Sequence, residues 1–186
     1  MKKIQIHYIF EVTKKMNEIS ILMHLLSRKK NLYQIGATKE EILERLNANH
    51  KNKSIYFQNL ITGLSTYLEP LGFQIRHNPL DSHWFLNYDP EISELISANP
   101  FEGKPSLAAT LLCTLTLCLK NSGVSSIHEI SKLRRKKDVN EDLKALEKKG
   151  YLFIDKNSGH VQLTSLIGYQ LDMHKLFVKL ALKLKE

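Results

Sequence analysis

The chain sets out the same order of local signals twice, and few folds satisfy that order. Each copy reads as an apolar helix, a short helix opened by a capping box, a third helix closed near a glycine, and a pair of short strands. In the first copy Ile19, Leu22, Met23, Leu25 and Leu26 recur at helical spacing, and Arg28-Lys29-Lys30-Asn31 ends the stripe. Thr38-Lys39-Glu40-Glu41 has the form in which the side chains of Thr38 and Glu41 satisfy each other's backbone N–H groups. After a polar break from Asn47 to Asn52, Phe57, Leu60, Ile61, Leu64 and Leu68 mark a third helix, which Pro70 and Gly72 stop. Phe73 to His77 and His83 to Asn87 alternate as strands around a turn from Asn78 to Asp81. Asp89-Pro90-Glu91 then opens a further short helix.

The second copy begins with a helix from Leu107 to Leu119, for which Ser106 is the expected cap. Ser126-Ile127-His128-Glu129 is the second capping box, with Ile127, Ile130 and Leu133 as the core face of its helix. Val139, Leu143 and Leu146 mark the third helix and Gly150 its end. Tyr151 to Asp155 and His160 to Leu163 read as strands, and a last helix runs from about Asp172 to the C-terminus. Asn99-Pro100-Phe101-Glu102-Gly103-Lys104-Pro105 has the composition of a linker. The expected organisation is an N-terminal winged-helix domain over residues 1–98, a linker at 99–105, and a C-terminal winged-helix domain with a terminal helix over 106–186. The fold class is mainly α with small β-ribbons (α+β).

Hydrophobic content of 42% and charged content of 25% are ordinary for a globular chain of 186 residues. The formal net charge is +8, with a pI near 9.4, and it is uneven. Residues 1–98 carry 12 Lys and Arg against 10 Asp and Glu, whereas residues 104–186 carry 15 against 8. A polyanion would therefore favour the second half. Gln5, His7 and Glu11 interrupt the apolar stretch from Ile4 to Val12, and no small-residue cleavage site follows. Leu107 to Leu119 is too short to span a bilayer. A cytoplasmic protein without membrane contact is expected. Cys113 and Cys118 fit neither a zinc site nor a redox pair and read as buried thiols.

Phosphate-loop, dinucleotide, zinc-protease and nucleophile-elbow motifs are all lacking. His128-Glu129 has no second His at metalloprotease spacing, and Glu129 is accounted for by its capping box. No enzyme activity, catalytic residue, metal or cofactor is expected.

A winged helix raises the question of DNA. Base-edge readout needs Arg, Lys, Asn or Gln on the exposed face of the third helix. In the first copy Gln58, Asn59, Thr62, Ser65 and Thr66 point outward, with no basic residue from Ser54 to Leu68. In the second, Asn140, Glu141, Lys144, Glu147 and Lys148 point outward, and the acids repel phosphate. The turn Arg134-Arg135-Lys136-Lys137 is the strongest basic feature. It reads either as a phosphate clamp without sequence preference or as a solvated turn.

Two helices carry surplus apolar surface. Tyr56, Leu60, Gly63 and Tyr67 fall on one line of the first copy's third helix. They either line the core or form a dimer contact in which Gly63 admits another backbone. In the terminal helix Met173, Leu176, Phe177, Leu180 and Leu184 make one stripe, and Leu171, Val178 and Leu182 make another. A helix apolar over most of its circumference is buried on two sides, which points to a protein contact.

From about Asn17 to Leu171 the chain resembles segregation and condensation protein B (ScpB), of the tandem winged-helix proteins that bind kleisins. The resemblance rests on Leu60-Ile61-Thr62-Gly63-Leu64, Leu71-Gly72-Phe73-Gln74-Ile75 and Trp84-Phe85-Leu86 before an Asp-Pro helix. It continues in Pro105 to Thr110, Val124 to Ile130, Val139 to Leu146, and Gly150-Tyr151-Leu152. The basic turn Arg134 to Lys137 and the Lys-rich tail after Leu171 depart from the family's pattern. The resemblance implies a homodimer formed through the first domain. It also implies a nucleoid-associated, non-catalytic accessory subunit that binds the kleisin (ScpA-like) of an SMC chromosome condensation and segregation complex. ATP chemistry would belong to SMC, and DNA contact would be weak and non-specific. The alternative is a winged-helix DNA-binding transcriptional regulator.

Overall fold

A computed structural model describes residues 16–31, 33–47, 52–89 and 101–172. The chain divides into two compact units, Met1–Ile96 and Ser97–Glu186. Both are α+β, with short helices and small antiparallel sheets.

In the first unit, helix α1 covers residues 16–27. Strands β1 (Lys29–Asn31), β2 (Gln34–Ile35) and β3 (Ala37–Thr38) follow, then helices α2 (Lys39–Arg45) and α3 (Lys53–Leu68). A 3-10 turn at Glu69–Leu71 leads through Gly72, at φ 75°, into β4 (Phe73–Asn78) and β5 (His83–Tyr88). Leu22, Leu25 and Leu26 of α1 meet Ile42 of α2 and Phe57, Ile61, Leu64 and Leu68 of α3 in one buried core. The inner face of the sheet closes it. Phe73, Ile75, Trp84 and Leu86 pack on the helices, and Trp84 meets Phe57 edge-on at 5.3 Å between ring centroids.

The second unit holds α4 (Pro105–Lys120), β6 (Val124–Ser126), α5 (Ile127–Arg134), α6 (Asn140–Lys148), β7 (Leu152–Asp155), β8 (His160–Leu163) and α7 (Leu166–Gln170). Leu107, Leu111 and Leu115 of α4 pack with Ile130, Leu143, Leu146, Leu152 and Val161 in its interior.

The expected two-stranded ribbons are each three-stranded sheets, ordered β3-β5-β4 and β6-β8-β7. The extra strand comes from the same place in both units, the residues just before the capped helix. Thr38 (ψ 161°) and Ser126 (ψ 150°) are extended, as an N-cap residue must be, so each cap also ends a strand.

The Ser126–Glu129 box closes in both directions, at 3.0 and 3.2 Å. Its counterpart closes in one. Thr38 accepts from the Glu41 backbone at 3.3 Å, but the Glu41 side chain turns away to ion pairs with Arg28 and Lys30. The cap of α4 is Lys104, with Pro105 at its start, because the Ser106 hydroxyl donates to Asp142 instead. Leu133, expected in the core, is 48% exposed, and only Ile130 of its helix is buried. The basic run after α1 becomes the first strand of a β1-β2 hairpin. The expected helices beginning at Asp89-Pro90 and Asp172, and most of the polar break from Asn47 to Asn52, lie outside the described residues.

Candidate partner-binding surfaces

Helix α3 is anchored along one side by Phe57, Ile61, Leu64 and Leu68, so the opposite side faces outward. That side exposes Ile55, Gln58, Asn59, Thr62, Gly63, Thr66 and Tyr67. Ile55 is 58% and Tyr67 61% exposed, and no charged side chain occurs from Ser54 to Leu68. A Cβ built on Gly63 meets nothing within 4 Å, so the helix backbone is open to approach there.

The four residues at helical spacing therefore part company. Gly63 and Tyr67 are exposed, Leu60 is half-buried, and Tyr56 turns toward α1. The Tyr56 phenol is pushed up to about 12, first by burial and then by the charge of Glu18, to which it hydrogen-bonds.

The basic turn also divides. Arg134 lies back on α4, its Nε donating to the Thr110 hydroxyl at 3.3 Å and a terminal nitrogen to the Ser106 carbonyl at 3.4 Å. Lys136 pairs with Asp142 at 3.1 Å. Arg135 and Lys137 are exposed, and Arg135 caps α5 in the left-handed region at φ 52°. Asp142 gathers this network, accepting from Thr110 at 2.8 Å, Ser106 at 3.1 Å and Lys136 at 3.1 Å. Burial raises its carboxyl, but these hydrogen bonds and the Lys136 charge outweigh burial and hold it below the usual carboxylate value. Nothing in the sequence pattern announced this cluster beyond Asp142 in the first turn of α6, because its members are up to 36 residues apart.

On α6 Asn140, Glu141, Lys144 and Lys148 are exposed, whereas Glu147 is half-buried and accepts from the Ile154 backbone at 3.0 Å, tying helix to strand. Leu171 is half-buried at the end of α7, while Val178 and Leu182 lie outside the described residues. Cys118 is buried and Cys113 half-buried, and both are free thiols that burial pushes up. Among the described residues there is no group of three His, Cys, Asp or Glu able to hold a metal. No helix there is long and apolar enough to cross a membrane.

No family model and no curated protein matches the chain. Among solved structures it is similar to ScpB from Mycobacterium tuberculosis, at 13% identity and TM-score 0.34, over 86% of this chain and 97% of that one. It is similar to a conserved hypothetical protein from Chlorobium tepidum at 14% identity and TM-score 0.39, over 86% and 99% of the two chains. The Nse1-Nse3-Nse4 complex is similar at 14% identity and TM-score 0.37, over 82% and 80%.

Proposed function

We propose that the chain is a non-catalytic accessory subunit built of two tandem winged-helix domains, which dimerises through helix α3 and holds the kleisin of an SMC-type chromosome complex. The uncharged outward face of α3 carries this reading. In a DNA-reading winged helix that face meets the groove and presents basic and amide side chains to bases and phosphates. Here it offers Ile55, Gly63 and Tyr67 among amides and threonines, with no cation. Loss of charge with exposed aromatic surface is the composition of the centre of a protein contact.

The residue resemblance across both copies supplies the partner class. Leu171, together with Val178 and Leu182 farther along the chain, is the proposed second contact. The chain then contributes binding energy and geometry, and ATP chemistry belongs to the SMC subunit. Arg135 and Lys137 are free to touch a DNA backbone without reading sequence.

Affinity purification of the full chain from its host, followed by mass spectrometry, tests the proposal. Kleisin and SMC subunits are expected in the eluate. Recovery of a preferred operator fragment with neither subunit would establish the DNA-binding regulator in its place.

A further inference from the structure

One cleft of the first unit is lined by none of the α3 residues named above. It is an open cleft of about 490 Å³ lined by Ser20, Ile21, His24, Leu25, Arg28 and Arg45. That volume is within the range of ligand sites. Ser20 and His24 lie at i+4 spacing along α1, Arg28 follows just past its end, Ile21 and Leu25 lie beside them, and Arg45 closes the cleft from the last residue of α2. Its floor is apolar, since Leu25 is buried and Ile21 is 39% exposed.

The rim is cationic. Arg28 and Lys30 share the single carboxylate of Glu41, so one positive charge is left over. The Nε of Arg28 is buried with no hydrogen-bond partner among the described residues. Arg45 is exposed, and the exposed His24 ring beside it offers an N–H donor. Glu18 precedes the cleft residues in the chain and Glu44 precedes Arg45, so the basic residues form no continuous run. A run of phosphates would meet those acids, whereas one or two carboxylates set beside an apolar side chain would not.

We propose that the cleft is a docking site for an acidic amphipathic segment of a partner polypeptide, with carboxylates toward Arg45, His24 and Arg28 and an apolar side chain over Ile21. The proposal rests on the adaptor reading for the existence of a polypeptide partner, but it uses a surface of α1 and α2 and not the α3 face. Fluorescence anisotropy on the full chain tests it. The probe is a labelled amphipathic peptide of about 15 residues, roughly four helical turns, with Glu and Leu at helical spacing. Its counterpart with Lys in place of Glu and a short DNA duplex serve as controls.

Saturable binding that weakens with salt is expected for the Glu peptide alone. His24→Glu with Arg45→Glu should loosen it about tenfold or more with an unchanged circular dichroism spectrum. Arg45→Gln, which adds no charge at the helix end, should loosen it less but measurably. Absence of saturable binding overturns the proposal. So does equal affinity of the variants, or equal affinity for the Lys peptide or the duplex. If kleisin co-purifies but the peptide does not bind, the cleft is wrong and the adaptor reading survives. If the peptide binds and no kleisin is recovered, the reverse holds.

Discussion

The Nε of Arg134 donates to the Thr110 hydroxyl at 3.3 Å, which folds the first arginine of the basic run back onto α4. A charge run that looks uniform in sequence therefore has two kinds of member. Arg134→Ala should lower unfolding free energy by about 1 kcal/mol, read by urea denaturation, because it strips donors from a half-buried network. Its effect on duplex binding should be small.

Arg135 and Lys137 should behave in the opposite way. Arg135 holds a left-handed φ of 52°, a conformation that favours glycine at a helix end. Arg135→Gly should raise stability by roughly 0.5–1 kcal/mol. Combined with Lys137→Ala, it should reduce the slope of log affinity against log salt for a duplex by about 2. Filter binding across a salt series, alongside thermal melts, separates the two effects.

Asp142 links stability to acid. Its folded carboxyl titrates below its unfolded value, near 3.9, so its contribution is fully present above the unfolded value. That contribution is lost as pH falls through the lower folded value. Asp142→Asn should destabilise the second unit by about 1–3 kcal/mol at neutral pH, since it leaves the buried Thr110 and half-buried Ser106 hydroxyl donors badly matched and removes the partner of Lys136. It should also flatten the acid limb of the stability curve. A denaturation series from neutral to strongly acid pH shows both.

Two glycines should respond oppositely to alanine. At Gly36, φ is 81° and an added Cβ would lie 1.9 Å from the Trp84 carbonyl oxygen, so Gly36→Ala must move a strand. A loss of about 2 kcal/mol or more is expected. Gly63 sits within a helix with open space around it, so Gly63→Ala should leave the isolated fold unchanged or stabilise it by about 0.5–1 kcal/mol. Chemical denaturation of both variants checks the pair.

The helices were legible because leucines and isoleucines at helical spacing bury where that spacing puts them. Phe57, Ile61, Leu64 and Leu68 are the plainest case. Gly72 and Gly150 stood out as helix ends because only their positive φ lets the chain turn there. The third strands were not legible, since two or three residues such as Ala37-Thr38 are too few to alternate. Their signal was the cap itself, whose extended backbone is also strand backbone.

Ser126 and Thr38 look alike in sequence, yet only Ser126 keeps its glutamate, because Arg28, between α1 and β1, and Lys30 of β1 reach Glu41. The same limit hid the Tyr56–Glu18 contact and the Asp142 cluster, which form between helices and leave no local pattern. On the α3 face the absence of charge was plain from the sequence, while the exposure of Tyr67 and the openness at Gly63 needed the fold.

Light scattering coupled to size exclusion reads out whether that face joins two copies of the chain. The wild-type chain should elute at about twice its 21.5 kDa, and Tyr67→Glu, with its fold intact by circular dichroism, should fall to a single copy. A wild-type monomer at micromolar concentration, or a Tyr67→Glu variant that stays dimeric, would contradict it.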